Sequence, residues 1–259
     1  MKKSIQSLLL LFLFVSCTGK AEYGDPNVNV ESLQKDFMKW WTYYHDQINL
    51  SSDFRAIDYS SNIISKEIFL RSLTSGKYIP VKLTPKDNSK ISYKLYRINQ
   101  STDQQIAETI IAASAIEYER FKMEGQPFPK FDFTDLNGKQ YTNENTKGKI
   151  VVLKCWFIRC HACIAEFPEL NEMVNQYKDR NDIVFVSLAF DQEAALKEFL
   201  LKKPFSYATV SVKQSYFKDT LNVISCPTHF LIDKDGKIVK IVNEANRLKS
   251  VLANLAVLH

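Results

Sequence analysis

Little in this chain of 259 residues interrupts regular structure: it holds seven glycines and eight prolines, too few for a collagenous, low-complexity or linker-like polypeptide. Net charge is also scarce. The 34 basic and 29 acidic residues leave +5, with no basic blocks, so no nucleic-acid-binding surface is expected. The composition, 45% hydrophobic and 24% charged, is that of a globular protein and excludes disorder as the dominant state. Only five cysteines are present, fewer than a secreted scaffold stapled by disulfides would need at this length, so the cysteines are read as chemistry. The length allows one or two domains.

The first residues stand apart. Met1-Lys2-Lys3 supplies a positive start and Leu8 to Val15 a short apolar stretch, too short for a permanent membrane-spanning helix, followed by Ser16-Cys17. This is a secretory signal pattern. Phe14-Val15-Ser16-Cys17 resembles a bacterial lipoprotein box, which implies cleavage before Cys17 and a lipid anchor on its thiol. An ordinary signal peptide with an incidental cysteine stays open. Without residues 1–16, which carry Lys2 and Lys3 and no acidic residue, +5 becomes +3.

A short polar tether, residues 17–28, leads to a helix with Leu33, Phe37, Trp40, Trp41, Tyr44 and Ile48 at helical spacing, a stripe expected to face a core. A second helix is expected after Ser65, ending at Gly76. Two strands follow, Tyr78 to Leu83 and Ile91 to Ile98, joined through Lys86-Asp87-Asn88-Ser89; Pro80 suits an edge strand. Ser101 and Gln104 form a capping-box pattern opening a long helix to about Met123. Residues 29–124 thus read as a small mixed α/β domain without a catalytic motif. Its only histidine, His45, is expected on the surface or packed.

Gly125-Gln126-Pro127-Phe128-Pro129 marks a turn-rich boundary. Residues 125–259 then show a hairpin around Asn137-Gly138, and a nearly continuous apolar run from Ile150 to Phe157 that suits a strand covered on both faces. Helix, strand and helix follow at roughly 162–178, 183–190 and 192–201, a pattern of parallel strands with crossover helices. A second hairpin, Thr228 to Ile232 and Lys237 to Val242 around Asp235-Gly236, precedes a terminal helix. Pro168 lies too deep to start its helix and is expected to kink it.

Between the apolar run and the first of these helices stands Cys160-His161-Ala162-Cys163. Cysteines three apart at a strand-to-helix junction fall on one helical turn and can form a reversible disulfide. With no second Cys-x-x-Cys or His-x-x-x-His to complete a zinc site, no metal is expected. No cofactor is expected beyond the disulfide itself. Cys160, at the helix N-terminus, is the candidate nucleophile, with positive charge from Arg159 and a protonated His161 expected to favour its thiolate. Cys163, one turn further in, is the candidate resolving thiol. Glu166 projects from the same side of the helix as Cys163, and a buried carboxylate with a raised pKa would serve as its proton acceptor; an exposed first-turn glutamate stays open.

Residues 126 to 257 resemble the thioredoxin-fold disulfide reductases of the TlpA/ResA type. The resemblance rests on Phe131-Asp132-Phe133-Thr134-Asp135-Leu136-Asn137-Gly138-Lys139, Gly148-Lys149-Ile150-Val151-Val152-Leu153, the Cys-x-x-Cys pair with Ala165-Glu166-Phe167-Pro168, and Pro227-Thr228-His229-Phe230-Leu231-Ile232-Asp233. With the lipoprotein signal and the N-terminal extension, the combination is similar to proteins of the Bacteroidetes. The resemblance implies an α/β protein with a thioredoxin-like fold, a central mixed sheet flanked by helices, plus the smaller N-terminal domain. It implies an envelope-located, periplasm-facing enzyme acting on protein disulfides and re-reduced by a membrane electron donor. It also implies a cis Pro227 beside the disulfide, with the preceding backbone as an edge for substrate.

The sequence departs from the family at Arg159, where tryptophan is common, at His161-Ala162, where a proline-containing pair is usual, and at Cys226, where a small or β-branched residue is commoner. Cys226 has three open roles: auxiliary resolving thiol, soft-metal ligand with the pair, or small buried residue. Cys155 is expected to be inert packing, and His229 a strand residue. The rival activities are a peroxiredoxin-like thiol peroxidase and a non-enzymatic copper-handling module using Cys160, Cys163 and Cys226 or His229.

Overall fold

In the computed structural model, which describes residues 24–85 and 91–257, the first elements among the described residues are two helices. Asn29 caps α1 (Val30–Gln34) by accepting from the Ser32 N–H, and Asp36 caps α2 (Phe37–Gln47) by accepting from the Lys39 N–H. The one helix expected over this stretch is therefore two, because Asp36 is extended (φ −139°) and satisfies a first-turn donor of a new helix. The expected core-facing stripe is only partly so: Trp40 is fully buried, whereas Trp41 is 42% exposed and stacks on Phe37. The signal segment with Cys17 and the turn at Lys86 to Ser89 lie outside the described residues.

After α2 come β1 (Arg55–Ile57), β2 (Ile63–Ile64), α3 (Lys66–Leu73), β3 (Tyr78–Lys82), β4 (Ser92–Arg97) and α4 (Gln104–Met123). The strands form a sheet in the order β2-β1-β4-β3, with β1 and β4 parallel and the other pairs antiparallel. Pro80, which has no N–H to give, sits in the edge strand β3. Ser65 caps α3 by accepting from the Ile68 N–H. The cap of α4 is Asp103, which accepts from the Gln105 N–H. Ser101 does not cap it, because its hydroxyl is held by Asn99 Oδ1 at 2.7 Å. Trp40, Phe69, Tyr93, Leu95 and Ile110 form the core between helices and sheet.

The second sheet is built from β7 (Ile150–Trp156), β8 (Ile183–Ala189), β9 (Ala208–Ser211), β10 (Thr228–Ile232) and β11 (Ile238–Val242), in the order β11-β10-β7-β8-β9. Before it, β5 (Asp132–Thr134) and β6 (Gln140–Thr142) pair as the aromatic hairpin. β7, β8 and β9 run parallel, and β10 is antiparallel to both its neighbours. All seven residues of β7 are buried, as a central strand with both faces covered requires. One face packs on Phe128, Phe133, Phe217 and Phe230, the other on Leu170, Leu248 and Leu252. The helices are α5 (His161–Ala165), α6 (Phe167–Gln176), α7 (Glu193–Lys202) and α8 (Ala245–Val257). β9 and a wide turn at Tyr216–Thr220, closed by Leu221 N–H to the Tyr216 carbonyl, complete the order.

The boundary between the two sheets is paired backbone. Gly125, at φ +78°, turns the chain out of α4, and its N–H bonds the Ile238 carbonyl at 2.7 Å. The Ile238 N–H returns to Gln126, and the Phe128 N–H bonds Gly236. Lys240 of β11 bridges Glu124 at 3.0 Å and Asp53 at 3.3 Å, and Arg120 of α4 donates to Thr228 Oγ1. These bonds hold α4 against the strand that leads out of the Pro227 loop.

Candidate redox site

Strand β7 ends at Trp156, and the chain turns through Phe157-Ile158-Arg159 into α5 with Cys160 as its N-cap. The Cys160 Sγ accepts the Cys163 N–H at 3.2 Å, the place a Ser or Asp oxygen takes in other caps. The two cysteines are joined as a disulfide, with Cα atoms 5.2 Å apart. Cys160 retains 7% exposure and Cys163 none, so attack from outside reaches Cys160 first. Arg159 and His161 flank it, both exposed.

The expected single helix after the pair is broken. α5 stops at Ala165 and α6 begins at Phe167, with Glu166 shared between them and Pro168 in the first turn of α6. Proline has no N–H to return to Ile164, so the ladder cannot run through. Pro168 therefore helps to start a helix, where a kink within one was expected. The break lets Glu166 turn inward. Its Oε2 accepts from Lys154 Nζ and lies 3.1 Å from His229 Nε2, and its Oε1 accepts from the Ala245 N–H at 3.0 Å. Lys154 and His229 are directly opposite each other across β7 and β10, so their side chains leave the sheet on one face, toward the break.

Electrostatics here differ from expectation. Burial pushes the Glu166 carboxyl up, but the His229 hydrogen bond and the charge and hydrogen bond of Lys154 outweigh it and hold the group below its ordinary range. The raised pKa expected for a proton acceptor is thus corrected: three donors converge on this carboxylate and favour its ionised form. Burial lowers His229 to about 4, against the pull of Glu166. Burial also lowers Lys154, opposed by Glu166; beside an ionised carboxylate we assign it as the ammonium of a buried ion pair. Lys154 was not among the expected site residues, and His229 was expected only as a strand residue or a copper ligand. The legible signal was a lysine within a strand otherwise apolar and buried on both faces, which must find a partner.

Pro227 is cis. Cys226 before it is half-buried, packs against the cluster containing Trp156, Cys160, Cys163 and Phe167, and has its thiol pushed up to about 11 by burial. Cys155 is fully buried, with its thiol pushed well up by burial. Both are free thiols. His229, engaged with Glu166 and fully buried, does not join Cys160 and Cys163 in a ligand set. Among the described residues, no group of three or more His, Cys, Asp or Glu side chains is arranged to hold a metal ion. Beside Cys226 an open groove of about 900 Å³ runs between Phe157, Phe190, Phe217 and Ile224. It offers apolar surface beside Cys226, which itself packs against the cluster that holds the disulfide.

Residues 124–241 match the AhpC/TSA family. Over 124 residues the chain is 36% identical to thiol-disulfide oxidoreductase ResA of Bacillus cereus (strain ZK / E33L), a match spanning 48% of this chain and 72% of that protein. ResA of Bacillus subtilis (strain 168) is 32% identical over 120 residues, 46% of this chain and 66% of that one. Among solved structures, the thioredoxin domain of a thiol-disulfide oxidoreductase from Bacteroides vulgatus superposes with a TM-score of 0.45 at 25% identity, covering 51% of this chain and 97% of that one.

Proposed function

Because the chain belongs to the ResA family of thiol-disulfide oxidoreductases, we propose that it works as a reductase of protein disulfides through Cys160 and Cys163. The observation that carries this reading is the asymmetry of the pair: a disulfide whose outer sulfur caps a helix and keeps 7% exposure while the inner one is fully buried. In the reduced enzyme the Cys160 thiolate, favoured by the Cys163 N–H and the adjacent Arg159 guanidinium, attacks one sulfur of a substrate disulfide. A Cys160–substrate bond forms, the substrate bond breaks, and the departing thiolate takes a proton. Cys163 then loses its proton to solvent or substrate thiolate and attacks Cys160 Sγ, releasing the second substrate thiol. Two electrons pass to the substrate, and the enzyme is left with the Cys160–Cys163 bond.

Arg159 and His161 tune the pair, and the backbone before Pro227, together with the groove beside Cys226, receives the substrate segment. A dithiol of a membrane oxidoreductase returns the two electrons. We further propose that Cys17 carries a lipid that holds the protein to a membrane of the cell envelope, facing the periplasm; the sequence pattern Phe14 to Cys17 supports this. Cys226, half-buried with a raised thiol pKa, is assigned as a packing residue and not an auxiliary resolving thiol.

Insulin reduction tests the proposal. Cys160→Ser is expected to abolish it, and Cys163→Ser to arrest as a mixed disulfide; full activity in Cys160→Ser sinks the reading. Peroxide consumption by the reduced protein, lost with Cys160→Ser, would favour a peroxidase in its place.

A further inference from the structure

A fully buried histidine directly behind the redox helix is unexplained by the exchange reaction itself. His229 is 0% exposed, its Nε2 lies 3.1 Å from Glu166 Oε2, and its Nδ1 is buried without a hydrogen-bond partner. An ionised carboxylate only accepts, so Nε2 carries the hydrogen and Nδ1 the lone pair. Protonating the ring would bury an unsatisfied Nδ1–H, which is costly. The ring is therefore a neutral donor aimed at one oxygen, the oxygen that also receives the Lys154 ammonium, while the Ala245 N–H occupies the other. Every contact that Glu166 makes favours its anion.

We infer that His229 is a positioning residue of the redox centre: its Nε2–H, with the Lys154 ammonium, fixes the Glu166 carboxylate as an anion at the break between α5 and α6, three residues beyond Cys163, so that Glu166 does not take the Cys163 proton. The inference deepens the reductase reading and rests on it. Few other groups act on this carboxylate. Tyr207, at the head of β9, interacts with Glu166, and Arg120 of α4 with His229. The thiols of Cys155 and Cys226 interact with Lys154. Arg120 is paired with Glu117, and Tyr207 and both thiols stay neutral because burial raises them.

The test is a carbon-13 NMR titration of the Glu166 carboxyl in the full-length reduced protein, for wild type, His229→Phe and His229→Gln. Wild type is expected to titrate below the ordinary carboxylate range. Loss of the donor in His229→Phe raises the proton affinity of Glu166 about tenfold, the equivalent of one hydrogen bond to a charged group. His229→Gln, whose amide can donate, restores most of the wild-type titration, a rescue that a packing role would not give. An unchanged Glu166 titration in His229→Phe overturns the inference. Nitrogen-15 NMR of His229 in the wild type needs no variant: a neutral Nε2–H ring at pH 7 supports the assignment, and a cation or an Nδ1–H ring overturns it. Both readouts are independent of turnover, so an inactive wild type would sink the reductase reading without deciding the role of His229.

Discussion

Replacing Lys154 by methionine is the most informative single perturbation of the buried site. The side chain of Lys154 is 0% exposed and that of Glu166 15%, so the change removes a cation that water cannot replace. Methionine fills a similar volume, which keeps the cavity contribution small. Glu166 is left with His229 Nε2–H and the Ala245 N–H, partners that soften the loss without neutralising the charge. Removing one member of a buried pair costs about 3–5 kcal/mol; the two surviving donors place this case near the lower end, about 3 kcal/mol. Urea unfolding of the oxidised protein at pH 7 should show that loss as a lowered midpoint with an unchanged slope. In the double variant Lys154→Met/Glu166→Gln the uncompensated anion is gone, and part of the loss should be recovered. A cost for Lys154→Met below about 1 kcal/mol, the value of an exposed pair, together with no coupling in the double-mutant cycle, would refute the assignment of a buried ion pair.

Acid should weaken the fold early. His229 falls from 6.5 to about 4 on folding, so between those values the unfolded chain binds the extra proton and stability declines as pH falls; about 2 kcal/mol should be gone by pH 5, and Glu166, also lowered, adds to the loss as the solution falls through the carboxylate range. A stability curve that is flat from pH 7 to pH 5 would contradict this. Cys226, raised to about 11, should react with iodoacetamide at pH 8 on the order of 100-fold more slowly than a free cysteine, read by mass spectrometry of the oxidised protein; rapid labelling would revive an auxiliary thiol. Gly76→Ala should cost about 1–2 kcal/mol by thermal unfolding, because residue 76 sits at φ +66° and the new Cβ would lie 2.6 Å from the flexible Ile111 Cδ1; a neutral change would place the strain elsewhere.

Local signals carried most of the fold. The apolar run from Ile150 marked the central strand because both faces of β7 are covered, Pro80 marked an edge, and Asn137-Gly138 and Asp235-Gly236 marked hairpins that form around them. What escaped was decided by single side chains or by distance along the chain. Asp36 splits a helix that periodicity alone runs together, and Asn99 takes the Ser101 hydroxyl, leaving the cap of α4 to Asp103. The strand Ala208–Ser211 is only four residues long, too short for alternation to stand out. The charge site escaped for a different reason. Lys154, His229 and Ala245 stand 12, 63 and 79 positions from Glu166; the register of β10 on β7 brings the first two to one face, and the start of α8 brings the third. The helix spacing of Glu166 points to Cys163 and carries no sign of the partners that lower its pKa.

The central claim, that Cys160 and Cys163 spend their electrons on other disulfides, is tested most directly by the reduction potential of that pair. Equilibration of the full-length protein with a thiol-disulfide buffer of known poise, read by trapping the free thiols, measures it. Reductase function predicts a potential below about −250 mV, and a value well above about −180 mV, in the range of disulfide isomerases and oxidants, would contradict it.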